Sequence, residues 1–208
     1  MFKKVLSRFR EKNVYHDIIE SLVAALEAKD NYTSGHSERV ADMSFKLSKC
    51  LGIKGVELQD IDIAAHLHDI GKIGVPDKIL NKNGKLLPDE FEYIKMHLQI
   101  GFNILDKSKV LKHISKIVLY HHERWDGKGY PKGISQVTIQ IGSRVIAVCD
   151  SIDSMTSDRP YRKVMGFDEC INEIIINAGL MYDPVIVQYI VDNMNTVRKF
   201  LQPKNTKF

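Results

Sequence analysis

The segment HHERWDGKGYP, residues 121–131, crowds two adjacent histidines, two acids, a tryptophan and two glycines together. Adjacent imidazoles repel once protonated, so such a pair is stable where something binds or neutralises it. His68 and Asp69, in HDIGK (68–72), are a second close pairing. His36, His97 and Asp150 fall near the start or middle of other helical stretches. Any one of these residues alone reads as a satisfied core polar group. Five or so imidazoles and two carboxylates together carry several desolvation penalties unless metal binds them. Mixed imidazole and carboxylate donors suit iron, manganese or zinc and not calcium. Two such ions about 3.5–4 Å apart can share a hydroxide and clamp an in-line displacement at phosphorus. Asp69, next to His68, is the natural carboxylate to bridge them. With Asp69, Asp150 and one hydroxide counted against them, two divalent ions leave a charge of about +1, which favours an anionic phosphodiester.

Other chemistry-bearing stretches carry less. ILNKNGKLLPDE (79–90) has Gly84 and Glu90 at EF-hand positions, but Ile79 stands where the first acid is required. GKIG lacks the rest of a phosphate-binding Walker loop. His16, His66 and His113 read as structural or surface residues. Cys50, Cys149 and Cys170 are far apart, form no zinc or redox spacing, and point to a reducing cytoplasm.

The elements that must position these groups read as helices. One covers 14–29, with Ile18, Leu22, Ala25 and Leu26 on a stripe. A second, capped by Thr33 or Ser34, runs to about Cys50, and a third runs from about Val56 to Ile70. Further helices are expected at 88–106, with a break near Leu98, and at 109–122, 140–156, 167–178 and 183–199. QVTIQI (136–141) is the only strand candidate. The 208 residues, 44% hydrophobic and 27% charged, suit one all-α domain over 14–199, between a lead segment (1–13) and a tail (200–208).

The lead is amphipathic, with Phe2, Val5, Leu6 and Phe9 ringed by Lys3, Lys4, Arg8 and Arg10. So short a segment more often packs on its own domain or a second subunit than on a membrane. A homodimer therefore stays open, and membrane contact is not expected. No apolar run approaches the roughly 18 residues of a span, and no secretory leader is visible. The net charge of +4 is interspersed, which argues against a nucleic acid polymer as partner.

HDIGK, HHERWDGKGYP, DSIDSMTSDRPYR (150–162) and EAKDNYTSGHSERV (27–40) resemble the motifs of the HD-GYP family within the HD phosphohydrolase superfamily. The resemblance covers about residues 14 to 195. It implies an HD-domain helical bundle with a metal site in its core and a GYP loop at its rim. It also implies metal-dependent hydrolysis of cyclic di-GMP by metal-activated hydroxide attack. By motif position His36, His68, Asp69, His97, His121, His122 and Asp150 are the metal ligands. Asp69 and Lys72 carry the catalysis, Lys72 by meeting a phosphate oxygen. Gly129, Tyr130, Arg159 and Arg162 match positions that line the family's substrate pocket, and Tyr130 can offer a guanine its face. Glu123 and Asp126 are expected to hold ring N–H groups or the loop. Gly127 and Gly129 are expected to let backbone approach the ligand.

The chain departs from the family where Leu98 follows His97 in place of the common proline, and where His66 stands beside HD. No sensor segment is visible ahead of the domain, so regulation is expected to act on the domain itself, on a partner or on expression. Some members carry Glu four residues before the first ligand histidine, where it helps bind a third ion. Here that position is Tyr32, a phenol with a pKa near 10. Two ions, iron or manganese, and a linear pGpG product are therefore expected. The alternatives are a cyclic GMP-AMP phosphodiesterase, or a silent module that binds cyclic dinucleotide or docks a GGDEF-type cyclase. Retention of all seven ligand candidates favours the enzyme.

Overall fold

The computed structural model describes residues 16–30, 34–157 and 164–202. Helix α1 spans 16–27. Its buried stripe is Ile19, Val23 and Leu26, whereas Ile18 and Leu22 are exposed. The helix carries apolar residues on two faces, and the i, i+4, i+7 set one register away from the expected stripe faces the core. Next come α2 (His36–Cys50), α3 (Gly55–His66), a 3₁₀ turn (Ile70–Gly74), the single turn α4 (Asp77–Leu80) and the long α5 (Pro88–Asp106). The second half holds α6 (Ser115–Leu119), α7 (Ile141–Thr156), α8 (Phe167–Ile176), α9 (Pro184–Asp192) and α10 (Met194–Leu201). Helix α2 packs on α3 and α7, α3 packs on α6 and α7, and α5 lies across the 3₁₀ turn and α6. Leu47, Ile61, Leu67, Val118, Ile146 and Ile152 are fully buried between them.

Several sequence expectations are corrected. Helix α5 runs unbroken through Leu98, which is fully buried and so holds the helix down where a proline would have kinked it. The expected helix at 109–122 is a 3₁₀ turn at Lys112–Ile114 followed by the short α6. The chain leaves the helix at Tyr120, and this turns His121 and His122 toward the core. QVTIQI forms no strand: residues Gln136–Thr138 are a 3₁₀ turn and Ile141 begins α7. A strand needs a partner, and among the described residues the only bridge is Ala178 with Tyr182. The last expected helix is split at Asn193, whose Nδ2 donates to Tyr189 O at 3.0 Å. Helix α10 carries Leu201 to full burial, so packed chain extends past residue 199. The lead segment lies outside the described residues. No helix among those described is long and apolar enough to cross a membrane.

Candidate metal centre

Five segments converge on one point. His36 is the first residue of α2, behind Gly35, whose backbone takes a left-handed φ of 67° and whose N–H donates to Glu27 of α1. His68 and Asp69 lie between the end of α3 and the 3₁₀ turn. His97 is midway along α5, His121 and His122 follow α6, and Asp150 is on α7. Gly71 makes the convergence possible. A Cβ there would lie 1.8 Å from the His97 carbonyl oxygen and 2.5 Å from Gly101 N. The HD segment therefore presses its bare backbone onto α5, and Asp69 reaches His97. Gly142 is a milder case on α7, where a Cβ would sit 3.0 Å from the side chains of Ile117 and Ile61.

The histidines are oriented by backbone. His68, His97 and His121 place Nδ1 at 2.7, 2.6 and 2.7 Å from the carbonyls of Ala65, Ile94 and Val118. A carbonyl only accepts, so each Nδ1 carries the proton and each Nε2 keeps its lone pair. All three Nε2 atoms are buried without a hydrogen-bond partner. Such a buried acceptor costs about 1–3 kcal/mol when unpaired. Three such lone pairs in one cluster are donors of the kind that metal takes. The ligand atoms of His36, His68 and Asp69 lie within 4.8 Å of one another, and so do those of His97, His121 and His122. Asp69 joins the trios: Oδ1 is 3.4 Å from His97 Nε2, while Oδ2 is 3.4 Å from His68 Nε2 and 3.9 Å from His36 Nε2. Asp150 Oδ1 closes the far side at 3.3 Å from His36 Nε2. The seven expected ligand candidates thus gather in one cluster, and its donors fit imidazole–carboxylate metal binding. Cys149, beside Asp150 in sequence, is buried in the core, and no cysteine is among the grouped donor atoms of the described residues.

Electrostatics divides the histidines. Burial pulls His122 down to about 4, with His97 reinforcing it, and burial likewise depresses His97 and His121. These three are neutral at pH 7 and ready to donate. His36 behaves oppositely. Burial opposes its charge, but hydrogen bonds to Asp150 and Asp153 outweigh that and raise it to about 9. Its Nε2 proton then occupies the position a metal would take. Below pH 9 an ion must displace that proton, so affinity should rise about tenfold per pH unit for the one proton released. Anaerobic Mn(II) titrations at pH 6.5 and 8.5 are expected to show this rise. A flat affinity would contradict it.

Asp153 was not singled out from sequence. It is fully buried on α7, one turn after Asp150, and its Oδ2 accepts from His36 Nδ1 at 2.7 Å. Arg39 grips the same carboxylate through Nε at 2.6 Å and Nη2 at 3.0 Å. Ring, carboxylate and guanidinium form a relay that fixes the His36 tautomer, as partners of ligand histidines do. The D-x-x-D spacing of DSIDS was the available signal. Asp153→Ala is expected to weaken metal binding about 10–100-fold. A chelator competition that returned wild-type affinity would count against the relay.

Lys72, expected to meet a phosphate oxygen, also pairs with two carboxylates. Its Nζ is 2.7 Å from Asp69 Oδ2 and 3.3 Å from Asp30 Oδ2. Asp69, though desolvated, is held well below the usual carboxylate range chiefly by that lysine. Glu123 and Asp126 hold the loop, not ring N–H groups. Glu123 Oε1 accepts from Lys132 N at 2.6 Å and Gly133 N at 3.1 Å, while Asp126 accepts from Arg124 and from Lys128 N. The loop is clamped to residues 180–181 through the N–H groups of Trp125 and Asp126. The missing Cβ of Gly129 serves this closure, since one would fall 2.3 Å from Arg124 N. Gly127 supplies a φ of 78°. Tyr130 lies over the site's edge, its ring 5.1 Å from that of His122 and 6.2 Å from Phe91. Glu90, the EF-hand near-miss, spends its carboxylate on Leu87 N and Lys82 at the start of α5. Tyr32, Arg159 and Arg162 lie outside the described residues.

Comparison with known proteins bears on this centre. A cyclic di-GMP phosphodiesterase of Thermotoga maritima is 43% identical over 174 residues, 83% of this chain and 47% of that protein. The 3'3'-cGAMP-specific phosphodiesterase 2 of Vibrio cholerae is 31% identical over 179 residues, 85% of this chain and 34% of that protein. The chain thus spans about half or less of the length of these relatives. The crystal structure of a cyclic GMP-AMP specific phosphodiesterase of V. cholerae, V-cGAP3, shares the fold. Its TM-score is 0.65 at 16% identity, over 90% of this chain and 51% of that one. Residues 20–186 match the HD-domain family model. With that match, and with the HHERWDGKGYP signature closing over the same histidines, the chain belongs to the HD-domain family, in its HD-GYP branch.

Proposed function

We propose that the chain is a metal-dependent phosphodiesterase that hydrolyses cyclic di-GMP, mainly to linear pGpG. The observation that carries this reading is the Asp69 carboxylate, set with one oxygen toward His97 of the His97–His121–His122 group and the other toward the His36–His68 pair. His36, His68 and Asp69, with Asp150, would hold one divalent ion; His97, His121, His122 and Asp69 would hold the other. Bound there, a pair of such ions supplies Lewis-acid chemistry, acidifying water and neutralising charge on a phosphodiester. Imidazole and carboxylate donors without thiolate favour iron or manganese. Lys72 adds a fixed positive charge. Its side chain is 18% exposed, and although burial opposes the charge, Asp69 and Asp30 raise its pKa, so it stays protonated at neutral pH. From that position it can meet a phosphate oxygen and also hold Asp69 in place. Tyr130, beside His122, offers a face on which a guanine can stack. No side-chain nucleophile is required.

A second reading, hydrolysis of 3'3'-cyclic GMP-AMP, is favoured by relatives that carry that name at 31% and 35% identity. The test is a chromatographic product assay on both dinucleotides with anaerobically purified, metal-loaded chain. Conversion of cyclic di-GMP to pGpG is expected to be the faster reaction. No hydrolysis of either substrate by chain holding two ions would favour a silent binding module.

A further inference from the structure

Among the described residues, a cavity of about 360 Å³ with a mixed polar and apolar lining adjoins the metal centre and shares His121, His122 and Asp150 with it. His122 and Asp150 line its inner side, and Arg124, Glu173, Asn177 and Tyr182 contribute to the rest. Pockets for small ligands run from about 300 to 1,000 Å³. This one, at the small end, suits a single base with its sugar better than a whole cyclic dinucleotide. Beyond the metal ligands, Glu173 adds a carboxylate to the lining that opposes a phosphate and favours a neutral ring.

The wall carries a specific pattern of donors and acceptors. Glu173 Oε2 accepts from Asn177 Nδ2 at 3.2 Å, and the same amide donates to the Glu173 carbonyl at 2.9 Å. The amide thus steadies the carboxylate one helical turn away. Arg124 holds Asp126 through Nε and Nη2 at 3.0 and 2.7 Å. A guanidinium has further N–H donors beyond those two. Guanine presents N1–H and N2–H donors beside its O6 acceptor. Adenine instead places a lone pair at N1. A carboxylate pairs with the first edge and opposes the second, and an arginine donor complements O6.

We propose that this cavity is a base subsite selecting guanine, with Glu173 as its specificity-determining residue and Arg124 on the O6 side. The proposal rests on the cyclic dinucleotide reading above. A bidentate pair of this kind commonly discriminates by about 5–150-fold.

The test compares the metal-loaded wild-type chain with Glu173→Gln, with metal content and circular dichroism confirming that the variant is intact. Calorimetric titration with GMP and AMP reads the cavity without turnover, and kcat and KM are measured for cyclic di-GMP and 3'3'-cyclic GMP-AMP. Wild type is expected to bind GMP more tightly than AMP. Glu173→Gln is expected to lose about tenfold in GMP affinity, and to raise KM for cyclic di-GMP similarly with kcat within twofold. An unchanged GMP to AMP ratio in the variant would overturn the proposal, as would equal binding of both nucleotides by wild type. If wild type hydrolyses neither dinucleotide, the phosphodiesterase reading falls, while the GMP and AMP titrations still decide the subsite.

Discussion

Asp69→Ala is expected to abolish hydrolysis and to empty the centre of metal together. Asp69 Oδ1 lies 3.4 Å from His97 and Oδ2 lies 3.4 Å from His68, so its two oxygens face two different histidine groups. Asp150 meets His36 at 3.3 Å and lies in the field of His122, but no ion-pair contact among the described residues joins it to His97 or His121 as Asp69 is joined to His97. Two ions held as proposed would lose the anion they share, and their like charges and that of Lys72 would face one another uncompensated. Turnover is expected to fall by on the order of a thousandfold or more, about 4 kcal/mol of barrier. Elemental analysis of the same preparation should show both ions depleted, with helical circular dichroism retained. Retention of two ions and of substantial turnover by Asp69→Ala would remove the bridging role.

Gly71→Val should have an effect of a different kind, on the fold that builds the site. Its Cβ would overlap the His97 carbonyl and the Gly101 amide, both backbone, so no side-chain rotation relieves the clash. The 3₁₀ turn must back away from α5, and Asp69 then loses its approach to His97. Overpacking of this severity costs about 3 kcal/mol or more, which for a chain of this size lowers Tm by roughly 6–12 °C. Metal content should fall with it. Gly166→Ala is the control, since a Cβ there meets nothing within 4 Å. Equal melting temperatures for the two variants would show that the close crossing is not needed.

The ligand candidates were legible because their chemistry is costly to bury for any other reason. His36, His68, His97 and His121 are all buried, and no composition argument accounts for four imidazoles in one core. The helices were legible where one apolar face dominates, as in α7, and misread where it does not. In α1, apolar residues on two faces let the wrong stripe look inward. After Ser108 the apolar residues suit a continuous helix, yet the chain must end α6 at Leu119 to turn two adjacent histidines the same way. The part of Asp153 in the relay with His36 and Arg39 was harder to read for a simpler reason. The relay's members are 114 and 117 residues apart, and an acid one turn from Asp150 reads equally well as a solvated helix face. Glu123 and Asp126 left two roles open, and packing of the loop onto its own backbone decided between them.

As proposed, these histidines and acids would bind two metal ions, and phosphodiester hydrolysis would depend on them. The most direct measurement follows cyclic di-GMP turnover by one anaerobic preparation, as isolated, after chelation and after reloading, with metal content quantified at each stage. The expected result is about two iron or manganese ions per chain as isolated, loss of turnover with their removal, and recovery with Fe(II) or Mn(II). Full turnover by chain verified to be metal-free would contradict the account.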